Sequence, residues 1–154
     1  LSVGRDQIVL DVAAIRYNHL YKKGIKDLIV LNDDWVDRKK GDILICASGS
    51  GNTKQTVDYA LQAINSKMNL IGITSFENSK IGLAAKGYDN GLLLIVPGRE
   101  DNVSRYNEVA KKTFVPYFEI ALYITLDALL AEIADKNGIT EKDMKKAHKD
   151  KFLQ

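Results

Sequence analysis

Four short runs rich in aliphatic and β-branched residues recur along the chain: Leu28 to Leu31, Asp42 to Ala47, Leu70 to Thr74 and Leu92 to Val96. Each is too short for a surface helix and too continuously apolar for a strand with one wet face. That combination describes strands of a parallel sheet covered on both sides. Segments with helical spacing lie before and between them. Ile8, Val12, Ile15 and His19 share one face of the first, and Val57, Ala60, Leu61 and Ile64 one face of the second. A parallel strand can follow its neighbour only through a crossover, usually a helix. The alternation therefore predicts an α/β fold, a three-layer α/β/α sandwich around a flavodoxin-like parallel sheet.

From Phe114 to Leu130 almost every residue is apolar or aromatic, which predicts a helix buried over most of its circumference. A helix of this kind packs against a second subunit, so a homodimer or homotetramer is expected. It stops at Asn137-Gly138, a left-handed C-terminal cap, and Thr140 opens a short polar helix with Asp143 in the capping-box position. With 154 residues and no internal repeat or low-complexity linker, residues 1–154 read as one domain. The chain opens on Leu1, only three residues before Gly4, so a trimmed N-terminus is expected.

Composition removes several classes of partner. The 22 basic and 20 acidic residues are interleaved, and the Lys-rich stretch from Lys142 to Lys151 also holds Asp143 and Asp150, so there is no basic stripe for a nucleic acid. The single cysteine, Cys46, lies among Ile43, Leu44, Ile45 and Ala47 and reads as a small core residue of a protein kept in a reducing compartment. No apolar run reaches the roughly 18 to 20 residues of a membrane span, and no signal segment opens the chain, so a cytoplasmic location is expected.

The run Asp42 to Ala47 leads straight into Ser48-Gly49-Ser50-Gly51-Asn52-Thr53 and then into a helical segment. In an open parallel sheet ligands collect at the carboxyl ends of the strands, where this turn must lie. Gly49 and Gly51 let the backbone approach a ligand closely. Ser48, Ser50 and Thr53 supply hydroxyl donors, and the next helix begins with free N–H groups and the positive end of its dipole. The residues alone fit two readings equally: an anion-binding loop, or a turn whose hydroxyls cap the helix. The spacing matches neither a nucleotide P-loop nor a dinucleotide fingerprint.

This stretch resembles the sugar isomerase (SIS) domain family, in which a Ser-x-Ser-Gly-x-Thr loop after a buried strand binds a sugar phosphate. Gly4-Arg5, the helix carrying Arg16 and His19-Leu20, Gly41-Asp42 before the strand, and Ile71-Gly72-Ile73-Thr74 sit where that family has them. Within the family the chain resembles the 6-phospho-3-hexuloisomerases, which interconvert 3-hexulose 6-phosphate and fructose 6-phosphate. The matching segments are Val96-Pro97-Gly98-Arg99, Phe118-Glu119 with Leu126-Asp127-Ala128, and Gly138 to Met144 with Ala147-His148, so the resemblance covers nearly the whole chain. It departs at Asp6, where the family has a phosphate-binding serine, at Val115-Pro116 in place of Gly-Thr, and in the ending Ala147 to Phe152.

The resemblance implies a ketose phosphate isomerase that works without a cofactor. Its substrate phosphate would rest on Ser48, Gly49, Ser50, Gly51, Asn52 and Thr53, and the substrate would also meet Gly4, Arg5 and Arg16. Glu119 and Asp127 are the only carboxylates in the apolar helix from Phe114 to Leu130, and desolvation there favours a base that can also return its proton. Read from its residues alone, Glu119 is first a buried acid paired with an Arg or Lys across a subunit contact, with the base as the alternative. The resemblance makes it the catalytic base. It also makes His148 a second catalytic residue, a proton shuttle, where the sequence by itself offers a surface histidine in a Lys-rich tail. His19 reads as a hydrogen-bonded core histidine. Arg99 follows a strand end near the same sheet edge, and no His, Cys, Asp or Glu cluster has metal-ligand spacing.

Overall fold

A computed structural model describes residues 1–20, 39–98 and 117–152, without the side chains of 148–152. Along the chain run α1 (Arg5–Asn18), β1 (Ile43–Ala47), α2 (Lys54–Asn65), β2 (Asn69–Thr74), α3 (Lys80–Lys86), β3 (Gly91–Ile95), α4 (Tyr117–Lys136) and α5 (Glu141–Phe152). The strands pair in the order β1-β2-β3, all parallel, with Cys46 opposite Gly72 and Gly72 opposite Leu93. Three of the four apolar runs are thus strands, each within one residue of its expected ends. The run Leu28 to Leu31 lies outside the described residues.

Side chains of successive strand residues point to opposite faces, and the two faces have separate cores. Leu44, Cys46 and Leu70 meet Ala60 and Ala63 of α2 and Ala85 of α3 on one side. Ala47 and Ile73 meet Phe118, Leu122 and Leu126 of α4 on the other, with Val9, Leu10 and Ala13 of α1 packed against them. The layers are α2 and α3, the sheet, and α1 and α4, which is the expected α/β/α sandwich. Gly72 is what lets α3 lie so close, because a Cβ there would sit 2.8 Å from that of Ala85.

Beyond the sheet, Leu20, Leu130, Ala134 and Ile139 form a third small cluster that ties the end of α1 to α4. At the end of α4, Gly138 has a φ of 60° and the N–H of Ile139 donates to the carbonyl of Ala134 at 2.9 Å. Thr140 N–H then donates to Asp143 Oδ2 at 2.8 Å while Asp143 N–H donates to Thr140 Oγ1 at 3.3 Å. The expected left-handed cap and capping box are both present.

Several packing expectations need correction. In α1 the stripe Ile8, Val12 and Ile15 faces outward, at 63%, 41% and 59% exposure, while Val9, Leu10, Ala13 and Ala14 turn inward. The helix is apolar on more than one side, and only one side can meet both the sheet and α4. His19 ends α1 half-buried, not in the core. In α2 the buried face is Thr56, Ala60 and Ala63, because only small side chains fit against the strands, and Leu61 is exposed. The long apolar helix α4 buries the line Phe118, Glu119, Leu122, Leu126, Leu130 and Ala134, whereas Ile120, Tyr123, Ile124, Leu129 and Ile133 are exposed. Its burial within this one chain is therefore one-sided. The expected strands are also less covered than foreseen, since Ile43, Leu92 and Ile95 are exposed.

Candidate functional site

The loop 48–53 leaves the carboxyl end of β1 and is tied into one unit by its own hydroxyls. Ser48 Oγ lies 2.9 Å from Thr53 Oγ1 and 3.4 Å from Ser50 Oγ, and it accepts the N–H of Gly51 at 3.2 Å. Asn52 N–H donates to Ser50 Oγ at 3.2 Å. Ser48 is buried, and its N–H continues the sheet ladder by donating to the carbonyl of Ile73 at 2.9 Å.

Thr53 is the N-cap residue of α2, yet its side chain makes no capping hydrogen bond. Its hydroxyl is turned back to Ser48. The first turn of α2 contains no acidic residue and opens with Lys54. Of the two readings of this turn, the simple side-chain cap is thus not the one the geometry carries. A helix start without a side-chain cap, flanked by hydroxyls, is a place where an oxyanion gains N–H donors and the favourable end of the helix dipole.

The loop is braced from α3 and β2, a feature the sequence reading missed. Gly51 has a φ of 64°, and a Cβ there would sit 1.9 Å from Ser79 Oγ. Its carbonyl accepts the N–H of Ile81 at 3.0 Å, while Lys80 N–H donates to Asn52 Oδ1 at 3.1 Å. Ser79 caps α3, accepting from Gly82 N–H at 3.2 Å. Ser75 N–H and Thr74 Oγ1 donate to the carbonyl of Gly49 at 3.2 and 3.4 Å. The pair Asn78-Ser79 ahead of a helical segment was the available signal, because serine there is a cap signature.

Two further elements bring side chains to the same edge of the sheet. Ser2 Oγ donates to the carbonyl of Ala47 at 2.5 Å, so α1 begins beside the end of β1. There Asp6 Oδ2 accepts the N–H of Gly49 at 3.4 Å. After β3 the backbone at Gly98 presses on α4, where a Cβ would lie 2.4 Å from the Phe118 N. Glu119, 7% exposed, follows Phe118 in the first turn of α4. Arg5 Nε reaches Glu119 Oε1 at 2.7 Å. Glu119 is thus a buried acid with an arginine partner, and that partner belongs to its own chain.

Of the expected site residues, the structure gathers Ser48 to Thr53, Gly4, Arg5 and Glu119 around the carboxyl end of β1. Arg16 is not among them. Its Nε pairs with Asp127 Oδ1 at 2.6 Å, roughly 16 Å along the axis of α1 from Arg5 at about 1.5 Å per residue. His148 lies on α5 with its side chain outside the described residues, as are Arg99, Val115 and Pro116 altogether. Among the described residues no group of three His, Cys, Asp or Glu side chains could hold a metal ion, and no helix is long and apolar enough to cross a membrane.

The layer order and the loop at the strand ends define the class, an α/β/α sandwich around a parallel sheet with a hydroxyl-rich turn at its carboxyl end. No family model matches the chain. A solved structure of a hypothetical protein superposes with a TM-score of 0.78 at 27% identity, over 96% of this chain and 74% of that one. A hypothetical protein from Methanococcus jannaschii, whose structure infers a molecular function of 3-hexulose-6-phosphate isomerase, gives 0.68 at 28% identity over 95% and 73%. The Vibrio vulnificus NanR protein complexed with ManNAc-6P shares the fold at 17% identity, TM-score 0.63, over 98% of this chain and 52% of that one.

In sequence, the 3-hexulose-6-phosphate isomerase of Methanocaldococcus jannaschii is 29% identical over 150 residues, 96% of this chain and 72% of that protein. The resemblance read from the sequence therefore stands: across nearly its whole length the chain is similar to the SIS family and, within it, to 6-phospho-3-hexuloisomerase.

Proposed function

We propose that this protein is a cofactor-independent phosphosugar isomerase that interconverts 3-hexulose 6-phosphate and fructose 6-phosphate. One observation carries the reading: a hydroxyl-lined helix start without a side-chain cap lies beside the start of α1, where Arg5 pairs with the buried carboxylate of Glu119. The relatives named 3-hexulose-6-phosphate isomerase support it. So does the sugar phosphate carried by a distant fold neighbour.

In this reading the phosphate ester sits on residues 48–53 and the start of α2, which directs the carbon chain toward α4. Glu119 takes the proton from C2, the C2–H electron pair forms the C2–C3 double bond, and the C3 carbonyl oxygen becomes an enediolate. The guanidinium of Arg5 faces that developing charge. As the C2 hydroxyl passes its proton to the C3 oxygen and C2 becomes the carbonyl, Glu119 returns its proton to C3, so a single base serves both carbon transfers. His148 moves protons among the substrate hydroxyls. The exposed apolar faces of α1 and α4 are covered by further copies of the chain, giving a homodimer or homotetramer.

Glu119→Gln keeps the side chain's shape and removes the base. Turnover of fructose 6-phosphate should vanish while calorimetric binding of the sugar phosphate stays within a few-fold of the original. Surviving turnover would sink the assignment. A non-catalytic sugar-phosphate sensor is the second reading, favoured by the carboxylate of Asp6 on the loop. It predicts binding without turnover in the unaltered protein, and turnover of a different ketose or aldose phosphate in a substrate panel would instead change the substrate.

A further inference from the structure

Asp6 is the second residue of α1, half-buried, and its Oδ2 accepts the N–H of Gly49 at 3.4 Å. The Ser48–Gly49 peptide that carries this N–H is fixed from its other side, where the Ser48 carbonyl accepts from Gly51 N–H at 2.9 Å, and the following peptide is held where the Gly49 carbonyl accepts from Ser75 N–H and Thr74 Oγ1. Gly49 therefore cannot turn away to offer its N–H elsewhere while that bracing holds. A phosphate ester seated among the loop hydroxyls would use the same inward-facing donors. Carboxylate and phosphate are both anions, so they compete for the amide, and each also raises the electrostatic cost of the other.

We propose, resting on the reading of residues 48–53 as the phosphate loop, that Asp6 sets the affinity of that loop for phosphate. Its carboxylate stands in for an anionic ligand in the free protein. A phosphate monoester binds by taking over the Gly49 N–H against the charge of Asp6. The loop is thereby tuned to release phosphate esters readily, and simple inorganic anions, which lack the sugar's additional contacts, are held weakest.

The test is calorimetric titration of the full chain, its Asp6→Asn variant and its Asp6→Ser variant with fructose 6-phosphate, inorganic phosphate and unphosphorylated fructose. Asn keeps the shape of the side chain, and Ser removes both charge and bulk, so loss of folding in one leaves the other to decide. Both variants should bind fructose 6-phosphate and inorganic phosphate about tenfold more tightly, the scale of a unit charge repelling a phosphate dianion across about 5 Å of solvated site. Fructose binding should not change, and the same gain should appear as a lowered KM. Equal or weaker phosphate binding in the variants overturns the role of Asp6. If the unaltered protein binds the ester and the variants gain nothing, this inference falls alone. If none of the three proteins binds it, the phosphate-loop reading falls as well.

Discussion

Replacing Gly51 with Ala should damage the protein more than its small size suggests. Two costs combine. A side chain at a φ of 64° is strained by roughly 1–2 kcal/mol. The new Cβ would also sit 1.9 Å from Ser79 Oγ, 2.4 Å from Ser79 Cβ and 2.6 Å from Thr74 Oγ1, so Ser79 must leave its position. Ser79 is the N-cap of α3, accepting from Gly82 N–H at 3.2 Å, and losing such a cap costs about 0.5–2 kcal/mol. Together the loss is about 3 kcal/mol, a fall in melting temperature of roughly 6–12 °C for a chain of this size. Thermal unfolding followed by circular dichroism measures it. Gly41→Ala separates the two terms, because Gly41 also has a positive φ, 88°, but nothing lies within 4 Å of its added Cβ. If Gly51→Ala melts no lower than Gly41→Ala, the bracing of the loop by α3 is wrong. The double variant Gly51→Ala with Ser79→Ala should be less destabilised than the two single losses added, since both include the same cap.

Arg5→Ala should lower stability by about 1–2 kcal/mol, less than a fully buried pair would cost because Arg5 is half-exposed, and urea unfolding would show it. Adding Glu119→Gln to that variant should recover part of the loss, since the buried charge left behind is then gone; a further loss would mean that Arg5 acts through something other than Glu119. Gly138→Ala places a side chain at a φ of 60° and should cost about 1 kcal/mol, seen as a melting temperature roughly 2–4 °C lower, and no shift would count against the left-handed cap of α4.

The strands were legible because a parallel strand has a signature that survives without context, a short, continuous aliphatic run ending in a turn, even where Ile43, Leu92 and Ile95 stay exposed. The same holds for the end of α4, where Asn137-Gly138 and Thr140 with Asp143 prescribe local hydrogen bonds that need no tertiary partner. Helix orientation was not legible in α1. Its residues Ile8, Val9, Leu10, Val12, Ala13, Ala14 and Ile15 offer apolar groups to most directions, so hydrophobic spacing does not choose a face. What chose was α4. Arg5 with Glu119 and Arg16 with Asp127 align the two helices side by side, and Val9, Leu10 and Ala13 follow inward. A charge pair between segments more than a hundred positions apart leaves no mark in either segment by itself.

The loop 48–53 shows the same limit from the other direction. Its glycines and hydroxyls announced a turn at the strand end, but they fitted an anion site and a self-capped helix equally well. The choice between those depends on which way one hydroxyl points. Thr53 turns to Ser48, and α2 is left without a side-chain cap. The reason lies in residues outside the loop: Ser79 closes the space behind Gly51, Ile81 fixes its carbonyl, and Lys80 holds Asn52. With the backbone pinned at 51 and the side chain of Asn52 held by α3, Ser48 and Thr53 lie within 2.9 Å of each other across the turn. Bracing of this kind orders donors before any ligand arrives. The proposed phosphate loop needs that preorganisation of a turn of this composition, and α3 has to be in place to supply it.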